Sequence, residues 1–266
     1  MKTFLDKTTQ VAPVVFLALN LFVLLGFSCK PHSSDTLSQI GDVTVVAEQV
    51  GVKLFFRGFV TDEADSLISQ VYNFEREVIR KDTSGIATVY WFSQGKEEIP
   101  FYRDSVGTVF QKVTENLSLR TSAYGLLFRK PLILSRWKVM FKGSEGLGTE
   151  WNDAVDTLFT MYKPDGEKQL IRYHSFLKAR NDGLLKTHIP YGNKVEQVID
   201  VNWYEISTYI LNTTSGDTLF SMLGSAHSYF LPGIGAVKYE ADYTRRDFNS
   251  KSVFLKSTWE LIRAVL

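Results

Sequence analysis

TLFTMYKPDGEKQLIRYHSF, residues Thr157–Phe176, sets two alternating runs on either side of Lys163-Pro164-Asp165-Gly166. Proline presets φ at the second position of a tight turn, and glycine suits the turn's far end. The stretch predicts two antiparallel strands joined by a hairpin. The same grammar recurs along the chain. ATVYWFSQGKEEIPFYR (Ala87–Arg103) places β-branched and aromatic runs around Gln94-Gly95-Lys96. QVIDVNWYEISTYILN and DTLFSMLG flank Thr213-Thr214-Ser215-Gly216. AVKYEADYTRR and SVFLKSTWELIRAVL supply the last two strands, and GDVTVVAEQVGVKLFFRGF, broken at Gly51, supplies the first. Hairpin following hairpin predicts a mainly β fold: a curved antiparallel sheet or partial β-barrel.

TDEADSLISQVYNFEREVIRKD (Thr61–Asp82) can be read two ways. Leu67, Val71, Phe74 and Val78 have helical spacing, whereas Tyr72, Phe74, Arg76 and Val78 alternate. The alternation favours a strand for its second half. KGSEGLGTEW (Lys142–Trp151) reads as a hairpin loop, because no Gly-Lys-Ser/Thr follows and no helix start is present to cradle a phosphate. In LPGIGAVKYE (Leu231–Glu240), Pro232 and Gly233 form a turn, and Gly235 removes a side chain where two backbones approach. Val237 and Tyr239 then share one face of the strand that follows. A strand after G-x-G excludes a dinucleotide fingerprint. No linker or repeat divides residues 42–266, which read as a single β-rich domain.

The chain has 266 residues, of which 14% are aromatic, enough for a large core. Beyond residue 28 there are 28 residues of each charge sign. A neutral balance gives no electrostatic reason to propose nucleic-acid binding. The sequons at Asn116 and Asn212 are short matches that we read as chance.

The N-terminus carries the clearest address. MKTFLDK is slightly basic, and Val11–Phe27 is an uncharged run of 17 residues, interrupted by Pro13 and Asn20. That length matches the apolar region of a secretory signal better than a spanning helix. The single cysteine, Cys29, follows at once in LGFSC, which resembles a bacterial lipobox with Gly26 where an aliphatic residue is usual. The expectation is a lipoprotein signal peptide over residues 1–28, cleaved between Ser28 and Cys29, with Cys29 acylated. Residues 29–41 then form a polar tether. Ordinary secretion and an uncleaved anchor are the rival readings. Several acyl chains on one cysteine give stable attachment, because each buried methylene contributes about 0.8 kcal/mol.

Residues that could carry chemistry are sparse. His32, His174, His188 and His227 never fall three or four apart, so no zinc-like spacing exists, although folding could bring His174 and His227 together. Asp62-Glu63-Asp65 lacks the glycine and terminal glutamate of a calcium loop. There is no G-x-S-x-G elbow. Gly224-Ser225-Ala226-His227 sets a serine near a histidine, but strand alternation is read as sending neighbours to opposite faces. Asp153 and Asp156 read as surface acids. No cofactor and no catalytic residue is expected. Trp91, Trp137, Trp203 and Trp259 lie in predicted strands and read as core packing.

LLFRKPLILSRWKVMF, with Pro131-Leu132 and Trp137, and YFLPGIGAVKYE together resemble a group of uncharacterised bacterial envelope lipoproteins. Their β-rich domains carry a Pro-Leu…Trp segment followed by Pro-Gly-x-Gly-x-Val-Lys. Here Ser135-Arg136 stand where a glycine usually precedes the tryptophan. The resemblance implies a curved antiparallel sheet on a lipid anchor, and no reaction. The leading expectation is therefore a non-enzymatic envelope protein of the outer membrane, held by its lipid, that binds an apolar ligand or an envelope protein on a curved sheet. An envelope hydrolase with a dispersed histidine site and a structural subunit of an outer-membrane assembly are the alternatives.

Overall fold

The computed structural model describes residues 46–84, 87–117, 132–143, 146–212, 216–248 and 251–266, and leaves the side chains of 84, 87, 211 and 212 undescribed. The signal segment 1–28, the tether 29–41, Ser28, Cys29, His32 and Pro131 lie outside the described residues.

Among the described residues twelve antiparallel strands form one sheet: β1 Lys53–Thr61, β2 Tyr72–Ser84, β3 Ala87–Gln94, β4 Glu97–Arg103, β5 Thr108–Asn116, β6 Ile133–Lys142, β7 Glu150–Tyr162, β8 Lys168–Ile189, β9 Lys194–Asn212, β10 Thr218–Leu231, β11 Gly235–Asp247 and β12 Val253–Val265. Their order is β6-β5-β4-β3-β2-β1-β12-β11-β10-β9-β8-β7. Two meanders are thus sewn together by β1 and β12, which pair Phe59 with Thr258 and Arg57 with Glu260. The result is a nearly closed barrel, the curved sheet that the hairpin grammar predicts.

The opening hairpin forms as read. Tyr162 pairs with Lys168, the Gly166 amide donates to the Lys163 carbonyl at 2.9 Å, and Gly166 takes the left-handed φ of +90° that its place demands. Along β8 the alternation is nearly unbroken: Ile171, Tyr173, Ser175, Leu177, Ala179, Asn181 and Gly183 are all buried. Thr61–Asp82 resolves as a strand in its second half, β2, and residues 62–71 are turn and irregular chain with a bridge from Thr61 to Leu67.

Two sequence expectations are corrected. The first strand was expected from the start of GDVTVVAEQV, but its described residues 46–52 are irregular, and the strand begins at Lys53. Val46, Ala47 and Val52 are buried all the same: Val46 and Ala47 cover the core, while the Val52 carbonyl accepts from the Val78 amide of β2 at 3.0 Å. KGSEGLGTEW does not join a hairpin either. It links β6 and β7, the two edges of the sheet, which are not ladder partners. Side chains bridge that seam instead: Arg136 on β6 ion-pairs with Asp153 on β7, and Trp151 Nε1 donates to the Val139 carbonyl at 3.2 Å.

The core has two parts. The larger one includes Phe56, Val78, Phe92, Phe141, Val201, Trp203, Phe230, Val237 and Leu261. The smaller one holds Leu117, Met161, Ile171, Tyr173, Ile210, Leu219 and Phe220. Between β10 and β11 the backbones come so close that a Cβ on Gly224 would lie 2.2 Å from the Asp242 carbonyl oxygen. The outer wall carries ion pairs, among them Arg172–Asp156, Lys53–Glu77 and Lys256–Asp65.

Candidate functional site

The strands turn part of their side chains inward, most regularly along β8, yet these do not fill the barrel. A cavity of about 230 Å³ remains in the larger core, lined by Leu54, Phe56, Phe92, Phe101, Val109, Met140, Trp203, Phe230, Ile234, Tyr239 and Trp259. Aromatic rings hold one another in place around it. Phe56 stacks on Phe74 at 4.9 Å and meets Trp259 edge-on at 5.2 Å. Trp259 stacks on Tyr239 at 5.8 Å, and Phe92 meets Phe101 at 5.0 Å. Trp203 packs edge-on against Trp151, and its indole N–H donates to Ser228 Oγ at 3.0 Å. Rings locked in this way give a preformed wall, the usual character of a small-molecule site.

Two cations interrupt that wall. Arg76, on β2, lays its guanidinium 5.5 Å from the ring centres of Phe56 and Phe74 and 5.7 Å from that of Trp259. Its Nε donates to Gln94 Oε1 at 2.8 Å. Lys138, on β6, holds its ammonium 4.2 Å from the Trp203 ring. Both retain partial exposure because they border the cavity rather than packed protein. Loss of water around them disfavours the charged forms: Arg76 is brought down to about 10 and Lys138 to about 8. Asp153 and Glu115 oppose the drop at Lys138, while Arg136 reinforces it.

A second chamber of about 430 Å³ shares Lys138, Ile206 and Tyr239 with the first. Its lining includes Glu115, Arg136, Tyr173, Ser175, Thr208 and Tyr243. Here the charge is matched: Arg136 pairs with Glu115 at 3.7 Å and with Asp153, and the Tyr173 hydroxyl donates to Glu115. Asp153, read from sequence as a surface acid, is thus a seam residue. Among the described residues no carboxylate lies within ion-pair distance of Lys138 or Arg76.

The tryptophans divide between roles. Trp203 and Trp259 face the cavity, so core packing does not describe them fully. Trp137 lies outside the core, 44% exposed, and Trp91 donates from its indole to Asp82 with Arg80 over its ring. Arg76 and Lys138 were not singled out from sequence. The available signal was a cation in phase with an apolar alternation: Phe74-x-Arg76-x-Val78 and Leu134-x-Arg136-x-Lys138-x-Met140.

His174 and His227 are not brought together. His174 pairs across to Tyr209 and His227 to Asn202, seven residues apart on β9, or about 23 Å along the strand at about 3.3 Å per residue. His227 Nδ1 lies 2.9 Å from Asp200 Oδ1, and this bond holds the imidazole above its ordinary value. Ser225, two residues away, lines the same outward concavity. The expectation of opposite faces is corrected here, because residues i and i+2 of a strand share a side. Among the described residues no hydroxyl comes within hydrogen-bond distance of His227. Nor do three or more His, Cys, Asp or Glu converge among the described residues as metal ligands would.

No protein-family model and no curated protein matches the chain. Among solved structures it is similar to a "putative lipoprotein" from Parabacteroides distasonis, with 14% identity, 84% of this chain and 99% of that one covered, and a TM-score of 0.45. It is also similar to a "putative exported protein with YmcC-like fold" from Bacteroides fragilis, with 10% identity, coverage of 84% and 100%, and a TM-score of 0.38.

Proposed function

We propose that this chain is a non-enzymatic envelope protein that is exported, held to the outer membrane by acylation of Cys29, and carries an apolar ligand inside its barrel. The observation behind the binding role is the aromatic cavity: a preformed space walled by Phe56, Phe92, Trp203 and Trp259 where a filled core would be more stable. The apolar run ending in LGFSC carries the address. An assembly subunit docking by its sheet edge fits less well, since the β6 and β7 edges are tied to each other by Arg136–Asp153 and Trp151–Val139. The hydrolase alternative has an oriented imidazole in His227–Asp200 but no described nucleophile in reach.

The binding test uses the full chain, in the least nonionic detergent that keeps it dispersed, and the neutral fluorophore N-phenyl-1-naphthylamine. Saturable one-to-one enhancement is expected, and Ala236→Trp, which fills the cavity from its wall, should abolish it. Enhancement that never saturates, or that survives Ala236→Trp unchanged, refutes the binding role. For the anchor, Cys29→Ser should release the protein from membranes and block its processing; full retention and normal processing refute acylation.

A further inference from the structure

We infer that the ligand is an anionic amphiphile, an acyl or alkyl chain ending in a carboxylate or phosphate, whose head group lies between Arg76 and Lys138. This rests on reading the interior as a binding cavity and names what that cavity takes.

The neighbouring chamber supplies the contrast. Arg136 sits two residues from Lys138 on the same inward face and has two carboxylate partners. Lys138 has a tryptophan face and no carboxylate within ion-pair distance among the described residues. Arg76 spends one N–H on Gln94, and its remaining donors lie among the π faces of Phe56, Phe74 and Trp259. Two interior cations with no carboxylate at ion-pair distance among the described residues are costly to keep: Asp153 and Glu115 act on Lys138 only from farther off, and cation–π contact compensates only part of the lost hydration. A bound anion would supply the missing charge, and the planar guanidinium fork matches a carboxylate or phosphate. The aromatic wall then takes the chain. A cationic ligand would meet like charge, and a neutral one would leave both cations unmatched. The cavity of about 230 Å³ is small beside ligand pockets of about 300–1,000 Å³, which favours a short or medium chain.

The test is displacement of N-phenyl-1-naphthylamine from the full chain by dodecanoate, dodecyl phosphate, methyl dodecanoate and inorganic phosphate at neutral pH. At least one of the two anions should displace the probe at a concentration tenfold or more below that of methyl dodecanoate. The better anion assigns the head group, and inorganic phosphate should not compete. Arg76→Gln and Lys138→Met should each cut the anion-to-ester preference to threefold or less, whereas Arg76→Lys should restore most of it. Cooperative urea unfolding checks that each variant folds. If ester and anions displace equally in the natural protein, the anionic inference is overturned and the binding cavity stands. If the probe never binds, both fall together. An anion preference that survives both charge removals overturns the assignment to Arg76 and Lys138.

Discussion

Replacing Lys138 with methionine should make the protein more stable at neutral pH. The ammonium sits against Trp203 beside an apolar cavity, and burial lowers its pKa from 10.5 to about 8. At about 1.4 kcal/mol per tenfold change in proton affinity, holding that charge in the folded state costs about 3 kcal/mol. The cation–π contact returns about 1 kcal/mol, so Lys138→Met should gain about 2 kcal/mol at pH 7. The pH dependence follows from the folded value lying below the unfolded one. Below about pH 8 both states are charged and the folded state bears the full penalty. Between about 8 and 10.5 the unfolded chain keeps the proton that the folded chain has shed, so the natural protein gains stability as pH rises. The variant's advantage should therefore shrink across this window. Glu115, Arg136, Tyr173, Tyr239, Tyr243 and Arg76, which face the same two chambers, and Asp153, which pairs with Arg136, remain in both proteins, and the comparison removes their own titration to first order. The assay is urea unfolding followed by tryptophan fluorescence at pH 7, 8.5 and 10. With a slope of about 3 kcal/mol per M, the midpoint should shift by about 0.7 M at pH 7. A variant that is less stable at pH 7, or a gap that does not change with pH, refutes the reasoning.

Phe56→Ala removes a fully buried ring that stacks on Phe74 and meets Trp259, and should destabilise by about 3 kcal/mol in the same unfolding assay. Gly224→Val should prevent stable folding altogether, read as loss of a cooperative transition, because its Cβ would collide with β11 backbone at 2.2 Å. His227 should titrate above its ordinary value of 6.5 by NMR and fall back toward it in Asp200→Asn; Asp182 and Glu240 add smaller upward pulls. Since the folded value is raised, the stability that this pair contributes is present below pH 6.5 and lost as pH rises through the folded value.

Local chemistry made the strands legible and global closure hid the site. The turns at Lys163–Gly166, Gly95-Lys96 and Pro232-Gly233 announce themselves because proline, aspartate and glycine act within a few residues. The pairing of β1 with β12 joins residues some two hundred apart, and no local pattern encodes it. Without that pairing, nothing shows that β6 and β7 are edges, so KGSEGLGTEW looked like one more hairpin. The cavity depends on the same closure. Arg76 reads as a polar residue on an ambiguous segment until β2 is curved around toward β6 and both cations meet one space. Val46 and Ala47 show the converse: apolar residues read as a strand serve as a plug beside the cavity.

The most direct test is a crystal structure of the protein soaked with 12-bromododecanoate, with the bromine located by its anomalous signal. The account predicts one bromine peak within the aromatic wall formed by Phe56, Phe92 and Trp259, and head-group density in contact with Arg76 or Lys138. Bromine only on the outer wall, or an interior filled by protein atoms with no ligand density, would contradict it.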